Sequence, residues 1–148
     1  MITKYAALYV LLSLAALLGC NDISRPRSQS RDLRLVSLSP AVTDILFDLG
    51  LGDRIVGVSK HCIVPAGLKK KVVGTMLTAE TEVLLSVEPT HLFFQWPRDS
   101  FHHLARLDPT IQLASFRLET TNDILKVVDK IGELVKRQDL AAKATKKF

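Results

Sequence analysis

The sequence predicts an α/β fold, a parallel sheet flanked by helices and followed by a long helix. Short apolar runs alternate with amphipathic segments from Leu33 onward, the order expected of strands joined by crossover helices. The apolar runs show no polar alternation of their own, so both faces of each strand are expected to be covered. Of the 148 residues, 47% are apolar and 24% charged, a globular balance that suits one compact domain.

Met1 to Leu18 carries one early charge, Lys4, and then an apolar run from Tyr5 that only Ser13 interrupts. This is the order of the basic and apolar regions of a signal peptide. The run of about 14 residues falls short of the roughly 20 that a membrane-spanning helix needs. Leu17-Leu18-Gly19-Cys20 follows, and residues 21–32 are polar without periodicity, as in a flexible tether.

Leu33 to Leu38 reads as a strand that runs into a turn at Ser39-Pro40. Val42, Ile45, Leu46 and Leu49 recur at three- and four-residue steps, predicting a helix over 44–49 with one buried stripe and a stop at Gly50. Arg54 to Val58 makes a second strand, Ser59 to Lys71 a polar loop, and Val72-Val73 a very short third strand. Thr78 to Val87 reads as a short helix with Glu80 and Glu82 in its first turn, where carboxylates suit the helix dipole, and Pro89 closes it. His91–Phe94 is a strand, Ser100–Leu107 a helix and Thr110–Ala114 a strand. From Thr120 onward, Ile124, Leu125, Val128, Ile131, Leu134, Val135 and Leu140 keep helical spacing, which predicts one helix of more than about five turns capped by Thr120 or Thr121. Such a helix would leave part of its apolar stripe exposed and favour self-association unless it folds back on the preceding domain.

Composition and motifs exclude several functions. The net charge of +5 comes from 20 basic and 15 acidic residues spread along the chain, without the basic face of a nucleic-acid binder. The 2 cysteines, Cys20 and Cys62, form no Cys-x-x-Cys pair, which argues against a structural zinc site or a disulfide framework. No nucleophile elbow, zinc-protease motif or pair of carboxylates at the strand ends points to catalysis. Gly50-x-Gly52 followed by Gly57 has the wrong spacing for a dinucleotide fingerprint and follows a helix instead of opening one.

Three stretches together resemble the periplasmic binding proteins for cobalamin, ferric siderophores and haem, whose two lobes are joined by a long helix. The first runs from Arg34 to Val58 and contains Ser39-Pro40, Thr43-Asp44, Leu49-Gly50 and Val56-Gly57-Val58. The second is Lys71-Val-Val-Gly-Thr75 followed by Glu82-Val-Leu-Leu-Ser-Val-Glu-Pro89, and the third is Thr120 to Leu134, ending in Ile131-Gly-Glu-Leu134. Asp44 stands where the family usually has Glu, and Thr90 where it has Asp. Leu17 to Cys20 resembles the lipobox of bacterial lipoproteins, in which the cysteine becomes the lipidated N-terminus.

The resemblance implies a division of the chain. Residues 1–19 would be a lipoprotein signal peptide, 20–32 a tether, 33–118 the N-terminal lobe of a class III periplasmic binding protein, and 119–148 the truncated start of the interlobe helix. It further implies an extracytoplasmic solute-binding component of an ABC importer, anchored through Cys20 in the cell envelope. The expected ligand is a cobalt or iron chelate, the expected partners are an ABC permease and its ATPase, and no resident cofactor is implied. By position in the motifs, His61, Met76, Gln95, Trp96 and Arg98 match ligand contacts, and Glu82 matches the glutamate that docks on the permease. Each has a plainer alternative: His61 an exposed loop residue, Met76 core filling, Arg98 a surface cation, Glu82 helix stabilisation. Two further readings stand beside transport. One is a non-transporting envelope lipoprotein that uses the half-fold as an interaction module. The other is a zinc or manganese protein using His61, His91, His102 and His103, although these are not at ligand spacings.

Overall fold

In the computed structural model, residues 32–146 are described, except Trp96 and the side chain of Arg98. The expected signal peptide, Cys20, almost all of the tether and Trp96 therefore lie outside the described residues. Five parallel strands form one sheet: β1 (Leu35–Ser37), β2 (Ile55–Val58), β3 (Lys71–Val72), β4 (His91–Phe94) and β5 (Gln112–Ser115). Their order is β3-β2-β1-β4-β5, with β1 and β4 at the centre and buried along their whole length.

The absence of alternation in the strands has the predicted cause. Leu35 and Phe93 join one core with Val42, Ile45 and Leu46, whereas Val36, Leu92 and Phe94 join a second core with Leu84, Phe101 and Leu104. Successive side chains of a strand point to opposite faces, and here both faces are covered. The first core takes α1 (Pro40–Asp48), α4 (Thr121–Leu134) and α5 (Gln138–Thr145). The second takes α2 (Thr81–Ser86), the 3₁₀ turn Arg98–Phe101 and α3 (His102–Leu107).

Helix boundaries differ from the sequence expectation where local hydrogen bonds intervene. α1 starts at Pro40 because buried Ser39 caps it, accepting from Val42 N–H at 3.3 Å, and proline suits the first helical position. Its end is as expected: Gly50, at φ +70°, donates to Phe47 and Leu51 donates to Leu46, each at 2.9 Å. α2 begins three residues late because Thr75 to Thr78 close a turn through Thr75 Oγ1, and Gly74 bridges Ala79.

The long terminal helix is also interrupted. Thr120 caps α4 and Asp123 completes the capping box. The helix then stops at Leu134, with Lys136 in the left-handed region at φ +56°. Arg137 N–H donates to Gly132 O at 2.7 Å and Lys136 N–H to Glu133 O at 3.1 Å, the same double closure that Gly50 makes. A lysine in that conformation costs roughly 1–2 kcal/mol, which the docking of α5 offsets. Consequently the apolar stripe is not exposed: Val127, Val128, Ile131, Val135, Ala141 and Ala144 are all buried in the first core. The reason is the close seat of α5 on α4, where a Cβ at Gly132 would lie 2.7 Å from that of Ala141.

At the opposite sheet end, His91 is buried with Nε2 3.3 Å from Leu134 O and Nδ1 2.9 Å from Thr90 Oγ1. Burial holds its pKa below the ordinary 6.5, despite opposing hydrogen bonds from Leu134 and Gln112.

Gly132→Ala tests the helix pair. In an exposed helix this change stabilises by up to about 1 kcal/mol, whereas here the steric conflict should destabilise by about 1–3 kcal/mol, read as a lower urea midpoint. For His91 the sign follows from its depressed folded pKa. The unfolded chain binds the proton more readily, so stability is complete above pH 6.5 and declines as the pH falls below it toward the folded value. Melting temperatures of wild type and His91→Gln between pH 7.5 and 5 should diverge, the wild type losing more.

Candidate functional site

Parallel strands deliver all their outgoing loops to one edge, and backbone bonds carry the ladder past the strand ends there. Ser59 N–H donates to Ser37 O at 3.0 Å, Leu38 N–H to Phe93 O at 2.9 Å, and Phe116 N–H to Phe94 O at 2.8 Å. Lys60 N–H reaches Gly74 O at 2.8 Å, so the loops after β2 and β3 leave side by side. The strand order reverses between β1 and β4, and open α/β sheets place their ligand crevice at such a switch point.

Beneath this edge lies a polar network. Thr43 Oγ1 sits 2.9 Å from both Ser37 Oγ and Ser39 O, and 3.0 Å from Cys62 Sγ. Ser59 Oγ is 3.1 Å from the same sulfur. Ser37, Ser39, Thr43 and Ser59 are buried, so the network fixes where the loop after β2 turns outward. Ser39 Oγ donates to Gln95 Oε1 at 2.6 Å, joining the loop after β1 to the loop after β4 across the switch point.

Of the residues expected to form the site, the structure draws most to this edge. His61 is exposed in the loop after β2, beside Cys62, and Met76 is half-buried in the turn after β3. Gln95 is half-buried after β4, and Arg98 opens the 3₁₀ turn beyond it. Glu82 stands apart, exposed in the first turn of α2. Sequence reasoning passed over Ser37, Thr43, Ser59 and Cys62, whose role rests on long-range bonds without a sequence signature. Ile63 and Leu77 fall within the loops Ser59 to Val64 and Thr75 to Leu77 that the resemblance places against the ligand, but the motifs did not single them out; they are 79% and 62% exposed. Between Ser59 and Val64, and between Gly74 and Thr78, these loops contain Lys60 and His61 and no carboxylate. These two loops are therefore apolar with one fixed cation, Lys60, whereas the loops after β4 and β5 carry Asp99 and Glu119 beside Arg98 and Arg117.

The four histidines expected of a zinc or manganese protein are not brought together: His91 lies at the opposite sheet end, and His102 pairs with Asp99 at 3.5 Å. Among the described residues, no group of three His, Cys, Asp or Glu could hold a metal ion. Three clefts are present among the described residues. One of about 580 Å³, lined by His91, Arg54, Gln112 and Arg137, and one of about 720 Å³, lined by Arg34, Glu88, Thr90 and Asp108, lie at the opposite end of the strands, whereas one of about 470 Å³, lined by Ala41, Ile45, Leu118 and Ile124, lies where the loop after β5 meets the start of α1.

No family model matches the chain. It is 35% identical over 65 residues to the vitamin B12-binding protein of Vibrio cholerae serotype O1, covering 43% of this chain and 23% of that one. It is 31% identical over 107 residues to YvrC of Bacillus subtilis, described as an uncharacterised ABC transporter substrate-binding lipoprotein, covering 68% of this chain and 33% of that one. Among solved structures it is similar to the periplasmic haem-binding protein HutB of Vibrio cholerae, with a TM-score of 0.69 and 28% identity over 78% of this chain and 46% of that one. The chain thus spans a third or less of these curated relatives and about half of the solved one.

Thr43→Val keeps the shape and removes the hydroxyl at the centre of the network. A loss of about 1–3 kcal/mol is expected, with faster amide hydrogen exchange at residues 60–64; unchanged exchange there would show that the network does not hold the loop.

Proposed function

We propose that this chain, related in sequence and fold to substrate-binding proteins of ABC importers, is the ligand-receiving N-terminal lobe of such a protein for a metal chelate of the haem or cobalamin kind. The observation that carries the reading is the edge itself: exposed Ile63 and Leu77, half-buried Met76, and Lys60 and His61 on loops anchored from below. An apolar macrocycle laid there covers side chains that each contribute about 1.5–3 kcal/mol when fully buried. His61 supplies an imidazole to the metal or to the ring face, Trp96 a stacking surface and Arg98 a partner for a carboxylate. Gln95 offers its amide at the switch point.

The remaining roles follow from placement. Glu82, exposed in the first turn of α2, is available to pair with a cation on the permease, whose ATPase then drives uptake. Lipidation of Cys20 would hold the lobe at the membrane in the cell envelope.

The test is fluorescence titration of the full chain with haemin, cyanocobalamin and ferric siderophores, read through Trp96, the 1 tryptophan. Saturable quenching by one chelate is expected, weakened about tenfold or more in His61→Ala, the scale of one lost strong contact. A folded chain that responds to none of them contradicts the reading.

A further inference from the structure

We infer that Gln95, locked by Ser39, presents its amide Nε2–H₂ outward as a fixed donor, and that the edge therefore selects chelates bearing a carboxylate at the switch point; this rests on the transport reading above. Ser39 has one hydroxyl proton. Its oxygen already accepts from Val42 N–H as the cap of α1, so the proton goes to a second partner, Gln95 Oε1. The 2.6 Å separation is that of O–H···O and is short for N–H···O, which fixes which end of the amide faces Ser39. Ser39 is fully buried and its position is set by the start of α1, so the lock is rigid.

The other end of the amide is then free. No described residue accepts from Nε2, and no buried side-chain nitrogen or oxygen among the described residues lacks a partner, so Nε2 reaches solvent at the edge. A fixed donor rewards an acceptor and leaves a donor unpaired. A charged carboxylate accepts such a hydrogen bond more strongly than the neutral carbonyl of an amide, so an anionic acceptor gains most from this donor. Gln95 is thus a specificity residue, and Ser39 is a positioning residue that acts through it.

The experiment compares haemin, which carries two carboxylates, with cyanocobalamin, whose side chains end in neutral amides, on the full chain. Gln95→Glu keeps an acceptor for Ser39 and replaces the outward donor with a carboxylate oxygen. Its haemin affinity should fall about tenfold or more. Ser39→Thr, which retains cap and donor, should bind haemin within about twofold of wild type. Ser39→Asp retains a cap but cannot donate, so the amide turns over and haemin binding should fall as in Gln95→Glu; if Ser39→Asp fails to fold, Gln95→Glu decides. Equal haemin affinity in Gln95→Glu and wild type overturns the inference. A wild type that binds cyanocobalamin and not haemin overturns it while leaving the transport reading intact, whereas no binding of any chelate overturns both.

Discussion

A parallel sheet with β1 at its centre has to be covered on both faces, and the rest of the chain is arranged around that constraint. Leu35 and Val36, adjacent in sequence, lie in different cores, so helices are needed on either side of the sheet. With both faces occupied, only the two ends of the strands remain for recognition, and they are built differently. The N-terminal end is tied shut: the Arg34 guanidinium donates to Val87 O at 2.8 and 3.0 Å, Thr90 Oγ1 donates to Arg34 O, and His91 reaches Leu134 O. The C-terminal end has its hydrogen bonds turned inward and its apolar side chains turned outward.

That inversion is what the proposed binding surface rests on. Ser37, Ser39, Thr43, Ser59 and Cys62 satisfy one another beneath the loops, so the loops are held without spending the side chains that project from them. Ile63, Met76 and Leu77 are left to face a ligand, and Gln95 is oriented by a residue that also starts α1. One wall of this kind encloses less of a ligand than a pocket does. The similar chains are longer, and a facing wall is the natural counterpart.

Much of the fold was legible in the sequence because it is local. Unbroken apolar runs marked the strands, Gly50 marked the stop of α1, and Thr120 with Asp123 marked the start of α4. Ser39-Pro40 looked like a turn because the same pair serves as cap and first helical residue. The break after Leu134 was hidden because Lys136 occupies a position that glycine usually announces, and because the apolar spacing continues through it to Leu140. His61, Met76 and Gln95, expected as ligand contacts by their place in the motifs, lie in the loops after β2, β3 and β4. The Thr43–Cys62 and Ser39–Gln95 bonds join residues 19 and 56 positions apart and have no periodic signature. For the same reason Ile63 and Leu77 were not singled out within their loops, since exposure of an apolar loop residue depends on where the loop is carried.

The central claim is that ligand meets this chain at the C-terminal edge of the sheet. Its most direct test is the paramagnetic broadening of backbone amide NMR signals when ferric haemin is added to the isotopically labelled full chain. The expected result is loss of signals from Lys60 to Val64, from Thr75 to Leu77 and at Gln95, with the opposite end of the sheet unaffected. Broadening centred on Arg54, Thr90, Lys136 and Arg137, or spread evenly over the surface, would contradict it.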